Sequence, residues 1–401
     1  MKIDLKLLGG ILMVTGTSIG AGMLALPISN AESGFVYSSV FLFVVWALMT
    51  AGALLILEVN LCFSQRSNLV SMAKSTLGKP GQIAAWLTYL FLLYALLAAY
   101  ITGGGDVFNN LIHLLHIPIS LWMSKLLFVL ILGFIVYKGI GSVDVVNRGL
   151  MFGKLAVYVI VVFLIIPHVE VKNLGDGQFK YMASSIMVLV TSFGFASIVP
   201  SLRAYFNDDI KKLRQVILYG SLIPLVSYLI WDLAIMGVLA AEGEHGLIAI
   251  LNSGHATTAL TDSLSQQLNR YWITDLSRTF ASICMLTSFL GVSLGLTDFL
   301  ADGFSIDKNS RRGWIIYATA FIPPIAIALF YPDAFVMALS YGGIFCVILL
   351  VILPALMAWN SRYYKKLKAI YRVPGGKAGL VMTIAVAVLF IIADILYRTF
   401  N

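Results

Sequence analysis

The sequence predicts an all-α integral membrane protein of eleven transmembrane helices. Ten form a five-plus-five inverted repeat with discontinuous helices 1 and 6, and one is an extra helix. Three observations carry this. The 401 residues are 60% hydrophobic and 11% charged, with a mean hydropathy of +0.92, where soluble domains carry roughly 25% charge. The apolar stretches are long and continuous, and a backbone in lipid must pair its polar groups internally; helices do this, while a barrel would need short alternating strands. Two of the stretches carry the same small-residue interruption at matching places.

A crossing needs roughly 20 mainly apolar residues. The spans fall at 7–28, 35–62, 82–112, 119–137, 149–166, 181–205, 215–240, 273–300, 313–330, 334–358 and 378–397. The longer connection 241–272 is read as a loop with a short helix around 257–268. Residues 1–401 form one transmembrane domain, with repeat one over 7–166, repeat two over 181–358 and the extra helix over 378–397. Of the 27 Lys and Arg, 19 fall on segments that share the side of the N-terminus, and four (Lys172, Lys180, Arg270, Arg398) fall opposite. The positive-inside rule puts the N-terminus in the cytoplasm, and an odd span count puts the C-terminus outside. The opening MKIDLKLLGG runs into the first span with no small-residue cleavage site, so that span is read as retained.

The net charge of +8 sits in short loops between spans, which topology explains without nucleic acid. Cys62, Cys284 and Cys346 lie in or at the end of apolar spans and read as small core residues rather than a disulfide framework. His113, His116, His168, His245 and His255 fall in loops or span ends, and no zinc-type cluster is present. Gly103-Gly104-Gly105-Asp106 lacks the strand, spacing and lysine of a phosphate loop, so close packing or a bend accounts for it. No metal and no cofactor is expected.

Span 1 contains Thr15-Gly16-Thr17-Ser18-Ile19-Gly20-Ala21-Gly22, followed by Pro27; span 6 contains Thr191-Ser192-Phe193-Gly194-Phe195, followed by Pro200. Five spans separate them, so they enter the membrane from opposite sides, the pattern of inverted repeats with broken helices. Glycine lowers the cost of leaving helical geometry. The freed backbone groups are tolerable only where they line a cavity. The half-helix beginning near Gly22 points its positive end at that cavity, which suits a carboxylate. Freed carbonyls of the span 6 break suit an ammonium group. Together they fit a zwitterion such as an α-amino acid. For a single span the alternative is tight packing by small residues, which the Gly16 to Gly20 spacing also fits; the matched pair selects the substrate site.

These residues carry a resemblance. Gly16-Thr17-Ser18-Ile19-Gly20-Ala21-Gly22-Met23-Leu24-Ala25-Leu26-Pro27 resembles the span 1 signature of bacterial aromatic amino acid permeases, the tyrosine- and tryptophan-specific transporters. Leu286-Thr287-Ser288-Phe289-Leu290-Gly291-Val292-Ser293-Leu294-Gly295-Leu296, then Asp298 and Ala301-Asp302, resembles their span 8 motif. Glu58-Val59-Asn60-Leu61 and the span 6 stretch also fit. The resemblance implies a leucine-transporter-type fold and a location in the bacterial inner membrane. It also implies proton-driven import of aromatic L-amino acids, tyrosine before tryptophan, by rocking of spans 1, 2, 6 and 7 against a scaffold. A sodium-coupled neutral amino acid carrier of the same fold is the alternative. A monomer surrounded by membrane lipid is expected. Ala196-Ser197 and Thr297 depart from some members, which leaves the preferred aromatic open.

A charge within a span is a functional hypothesis by default. Lys154, near the inner third of span 5, is the coupling candidate; the resemblance implies that such a lysine stands where relatives hold sodium between spans 1 and 8. The alternative is snorkelling to the inner surface. Thr287 and Ser288 are the candidate oxygens for a sodium ion instead. Asp232, in mid-span 7, reads as a proton relay or a structural acceptor. Glu58, Asp298, Asp106 and Asp394 read as interfacial or structural, and Arg203, Lys125 and Arg278 are assigned nothing. The run Arg362, Lys365, Lys366, Lys368, Arg372 suits anionic lipid heads, though a positive-inside loop suffices. Phe193 and Phe195 are expected to wall the pocket against an aromatic ring, Phe195 as a gate; Tyr94 and Tyr100 of span 3 are candidates to face it, though each taken singly reads first as a packing or lipid-facing aromatic.

Overall fold

A computed structural model of the chain describes residues 4–65, 67–114, 116–175, 177–268, 271–308, 310–331 and 334–400. Every regular element there is helical, as a lipid-embedded backbone requires. The first expected span folds as two helices, α1 (Leu5–Ser18) and α2 (Ala21–Ser29), bent by 50° at Ile19 and Gly20. Next come α3 (Gly34–Asn60) and α4 (Leu69–Leu114). Gly78, at φ 77° and ψ −162°, kinks α4 and separates an eight-to-nine-residue stretch from the long crossing that starts at Pro80; that turn favours glycine because it has no Cβ.

Helix α5 (Leu121–Tyr137) is followed by α6 (Ile140–Ile165), which begins well before the expected 149. The short α7 (Val171–Leu174) precedes the span expected to carry the second break: α8 (Met182–Ser192), a 3₁₀ stretch over Gly194–Ile198, and α9 (Val199–Phe206), which together run as one crossing over Phe179–Phe206 without the sharp bend of the first. Then follow α10 (Ile210–Val238), the short α11 (Leu247–Leu251), α12 (Ala256–Leu268) and α13 (Tyr271–Phe304). The last elements are α14 (Gly313–Phe330), α15 (Ala334–Val347), α16 (Leu353–Trp359) and α17 (Gly376–Phe400), with π-helical turns on either side of α16. The helix expected around 257–268 is therefore α12.

Among the described residues, nine helical segments are long and apolar enough to cross a membrane, ten with α1 and α2 taken as one bent span. The expected span 119–137 is α5, whose 17 residues fall short of the roughly 20 that a crossing normally takes. Arg270, counted among the outer charges, lies outside the described residues.

All nine residues of α2 are buried. It packs on α8 and α10, and α12 and α13 lie against it. Around this centre α15 packs on α4, α13 on α6, and α10 on α1. Several charges that composition leaves unassigned prove to tie helices together. Arg362 meets Glu58 through two bonds of 2.6 and 2.5 Å, and Glu58 also accepts from the Val373 backbone at 2.7 Å. Both side chains are buried, so Arg362 serves this fork-to-fork pair rather than lipid heads. Arg203 at the end of α9 donates to the backbone of Asn60 and Phe63 and to Asp208, which satisfies carbonyls left open where α3 ends. Buried Lys125 donates to the Ala328 carbonyl at 2.9 Å. Arg398 binds Asp394 and Ser340 and lies 4.4 Å over the Tyr341 ring, holding α17 to α15.

Candidate functional site

A cavity of about 560 Å³ lies between the two breaks, within the range of small-molecule sites. Span 1 contributes Met13, Gly16, Thr17, Ser18, Gly20 and Gly22; the second broken span contributes Thr191, Ser192, Gly194, Ser197 and Ile198. Helix α6 lends Asp144, Asn147, Met151 and Lys154, spaced along one face, and α13 lends Thr287, Ser288, Gly291, Val292 and Gly295. Tyr89, Leu92, Leu93, Leu96 and Tyr100 of α4 make an apolar wall. The exposed lining residues, Met13, Thr17 and Gly291, all sit in the half toward the start of α1. Beyond the break α2 has no exposed residue, so the cavity opens on the face where α1 begins.

The break in span 1 is fixed from outside itself. Lys154 is 1% exposed, and its Nζ donates to the Ile19 carbonyl at 2.5 Å. Lys154 lies 14 residues, about 21 Å, into α6 and is turned inward onto span 1 rather than toward a surface. The Ala21 N–H donates to Ser288 Oγ at 3.1 Å. The hydroxyl of Tyr228 on α10 reaches the Ser18 carbonyl at 2.7 Å. Three other helices thus meet the polar groups that the missing helical turn leaves open. Helix α2 begins here with its amino end beside the cavity, where Gly22 lies in the lining. That end favours an anion.

Glycine does a second job, close approach. A Cβ at Gly20 would meet Ser288 Oγ at 2.5 Å, and one at Gly22 would meet Ser192 Oγ at 2.9 Å. Only Gly20 lies in the break; Gly16 and Gly22 are inside helices. The stretch thus combines a break at Gly20 with close approach at Gly16, Gly20 and Gly22.

The second break is gentler. Phe193 ends α8, its N–H bonding the Val190 carbonyl at 3.0 Å, and the chain continues in 3₁₀ geometry. Thr191 Oγ1 donates to the Leu339 carbonyl at 2.7 Å. Tyr228 reaches the Ser192 carbonyl at 2.8 Å.

Eleven expected site residues line the cavity: Gly16, Thr17, Ser18, Gly20, Gly22, Thr191, Ser192, Gly194, Lys154, Thr287 and Ser288. Ile19 and Ala21 take part through their backbones. Thr15 turns away and donates to the Gly220 carbonyl at 3.2 Å. Tyr94 also turns away, to the Thr319 carbonyl at 2.8 Å; Tyr89 and Tyr100 are the α4 tyrosines on the cavity. Phe193 and Phe195 are fully buried and absent from the lining. Phe193 instead packs edge-on against Tyr228 at 5.3 Å. Thr287 Oγ1 is bonded to the Ile283 carbonyl at 2.8 Å. Asp232 accepts from Asn30 Nδ2 at 3.0 Å at the far end of α2. Tyr228 is the residue that the motifs do not point to; its signal is the i, i+4 pairing with Asp232 on one face of a span.

The chain matches the family model described as the tryptophan/tyrosine permease family over residues 4–394. It is 36% identical to tyrosine-specific transport system 2 of Haemophilus influenzae, over 98% of this chain and 97% of that one. It is 32% identical to the tryptophan-specific transport protein of the same organism, over 97% and 96%. A glutamine transporter 2 of Aliivibrio fischeri is 30% identical, over 98% and 100%.

Proposed function

The chain belongs to the tryptophan/tyrosine permease family, a family of transporters and not of enzymes, and on that footing we propose that it imports aromatic amino acids. L-tyrosine is the foremost substrate and L-tryptophan the next. The observation that carries this is the cavity, which brings one amino-end and two carboxyl-end helix termini together beside an apolar wall. The amino end of α2 takes the substrate carboxylate. The carbonyls that close α1 and α8 face the ammonium group. Leu92, Leu93, Leu96, Ile198 and Val292 receive the ring.

Uptake is driven by protons. The Lys154 ammonium holds the Ile19 carbonyl, and loss of its proton during the cycle releases that carbonyl. A sodium ion would need the same oxygen, and the Thr287 hydroxyl is already turned to its own helix; both points favour the proton. The fold is then an eleven-span, five-plus-five inverted repeat in the bacterial inner membrane, with α5 as the short fourth span and the N-terminus in the cytoplasm. The cavity opens on the face of the N-terminus, so the conformation is inward-facing. Alternating access moves spans 1, 2, 6 and 7 against the rest. The second reading is a sodium-coupled carrier of neutral amino acids such as glutamine, which the glutamine-transporting relative favours.

Uptake of labelled L-tyrosine into proteoliposomes tests this, with an inward proton or an inward sodium gradient. Tryptophan, phenylalanine, leucine and glutamine serve as competitors. Proton-driven uptake blocked chiefly by aromatics is expected. Sodium-driven uptake blocked by glutamine and leucine would replace it with the second reading.

A further inference from the structure

The carboxyl ends of α1 and α8 arrive from opposite sides at one hydroxyl. Tyr228 is entirely buried, and its oxygen lies 2.7 Å from the Ser18 carbonyl and 2.8 Å from the Ser192 carbonyl. Ser18 and Ser192 are the last residues of their helices, and both line the cavity. A phenol carries a single proton. Each carbonyl ends a helix and bears part of its negative pole. Two negative ends therefore share one donor, which commits to one carbonyl at a time. Ser18 Oγ, also buried, has no hydrogen-bond partner among the described residues. The ring of Tyr228 is fixed by the edge of Phe193. One turn further along α10, Asp232 takes the amide of Asn30, so α10 grips span 1 on both sides of its break.

We propose that Tyr228 is a positioning residue of the substrate site: its one proton ties α1 to α8 and leaves one of the two carbonyls for the substrate's ammonium group. This rests on the amino acid transport reading above. Binding of an amino acid then drives the hydroxyl onto the other carbonyl, so occupancy of the site is transmitted from one broken helix to the other.

The test uses the full-length protein in equilibrium binding of labelled L-tyrosine, with 3-(4-hydroxyphenyl)propionate as a ligand that lacks the amino group. Tyr228→Phe supplies no proton to the carbonyls. Tyr228→4-aminophenylalanine, of nearly the same shape, supplies two and occupies both. Each is expected to weaken L-tyrosine binding by about tenfold or more, while the ligand without an amino group changes by less than about twofold. Phe193→Leu, which loosens the ring but keeps the hydroxyl, serves as the packing control. L-tyrosine affinity within about twofold of wild type in either variant would overturn the proposal, as would a loss shared equally with Phe193→Leu. Should Tyr228→Phe not fold, the aminophenylalanine variant decides. If wild type binds no aromatic amino acid, the transport reading fails instead. The tie is still read without substrate, from alkylation of the cavity thiol Cys346, expected to be about threefold faster in Tyr228→Phe.

Discussion

The two interruptions look alike in sequence, Thr-Ser-Ile-Gly against Thr-Ser-Phe-Gly, yet they fold differently. The first leaves Ile19 and Gly20 outside any helix and bends the span by 50°. Its polar groups are met by Lys154, Ser288 and Tyr228 from three other helices. The second passes through a 3₁₀ stretch that meets most of its needs locally. What separates them is the neighbourhood: a Cβ at Gly20 would strike Ser288, whereas one at Gly194 would find only Cys346 Sγ at 3.7 Å. A break held by distant side chains can be controlled by them. The second break shares Tyr228 with the first at the Ser192 carbonyl and closes the rest through its own 3₁₀ turns, so fewer distant side chains act on it.

That contrast is sharpest at Lys154. Lys154→Ala removes the cation from the Ile19 carbonyl and is expected to reduce proteoliposome uptake by at least about a hundredfold; uptake within about threefold of wild type would mean that the first break holds itself as well. Next come the glycines. Gly20→Ala is expected to cost about 1–3 kcal/mol by overpacking and about tenfold in uptake, while Gly194→Ala stays within about twofold; equal effects would erase the distinction. Ser288→Ala orphans the Ala21 N–H and should lower uptake about fivefold, a loss near 1 kcal/mol. Thr191→Val, by comparison, should stay within about threefold, because its break keeps its local bonds.

The smallest effect concerns the far end of the second arm, where Asp208 meets Arg203 and then Gln65, which hold its carboxyl below the ordinary 3.8. A carboxylate depressed in the folded state adds stability above its unfolded value, and that contribution is lost as pH falls through the folded one. Asp208→Asn should therefore flatten the loss of melting temperature between about pH 5 and about pH 2. The change is modest, because Asp208 is exposed and water screens the pair. An unchanged acid limb would show that this arm is anchored by α3 contacts alone.

The helical class and most span positions are legible in the sequence, because hydropathy is a property of each stretch. The cavity residues of the broken spans are legible for another reason: the same small-residue stretch with a trailing proline recurs in two spans five apart. The orientation of single side chains is not. Tyr94 and Tyr100 lie on the same helix, yet Tyr94 turns to Thr319 while Tyr100 lines the cavity. Phe195 sits in the motif but faces the core. The start of α6 is hidden by Asp144, Asn147 and Arg148, polar residues that look like a loop. Placing the helix start at 149 makes Lys154 look shallow. Tyr228 has no motif at all; its role exists only once α1, α8 and α10 are packed.

The buried half-helix α2 has a consequence for biogenesis. Its nine residues reach only about 13 Å, too little to cross a bilayer, so it must enter the membrane joined to α1. Its partners are synthesised long afterwards: Asp232 lies 202 residues beyond Asn30, and Ser288 lies 267 residues beyond Ala21. A newly inserted first span has neither of them, and in lipid it must pair its own backbone. The nascent segment is therefore a continuous helix, and the bend at Gly20 is acquired only as the translating chain delivers α6, α10 and α13.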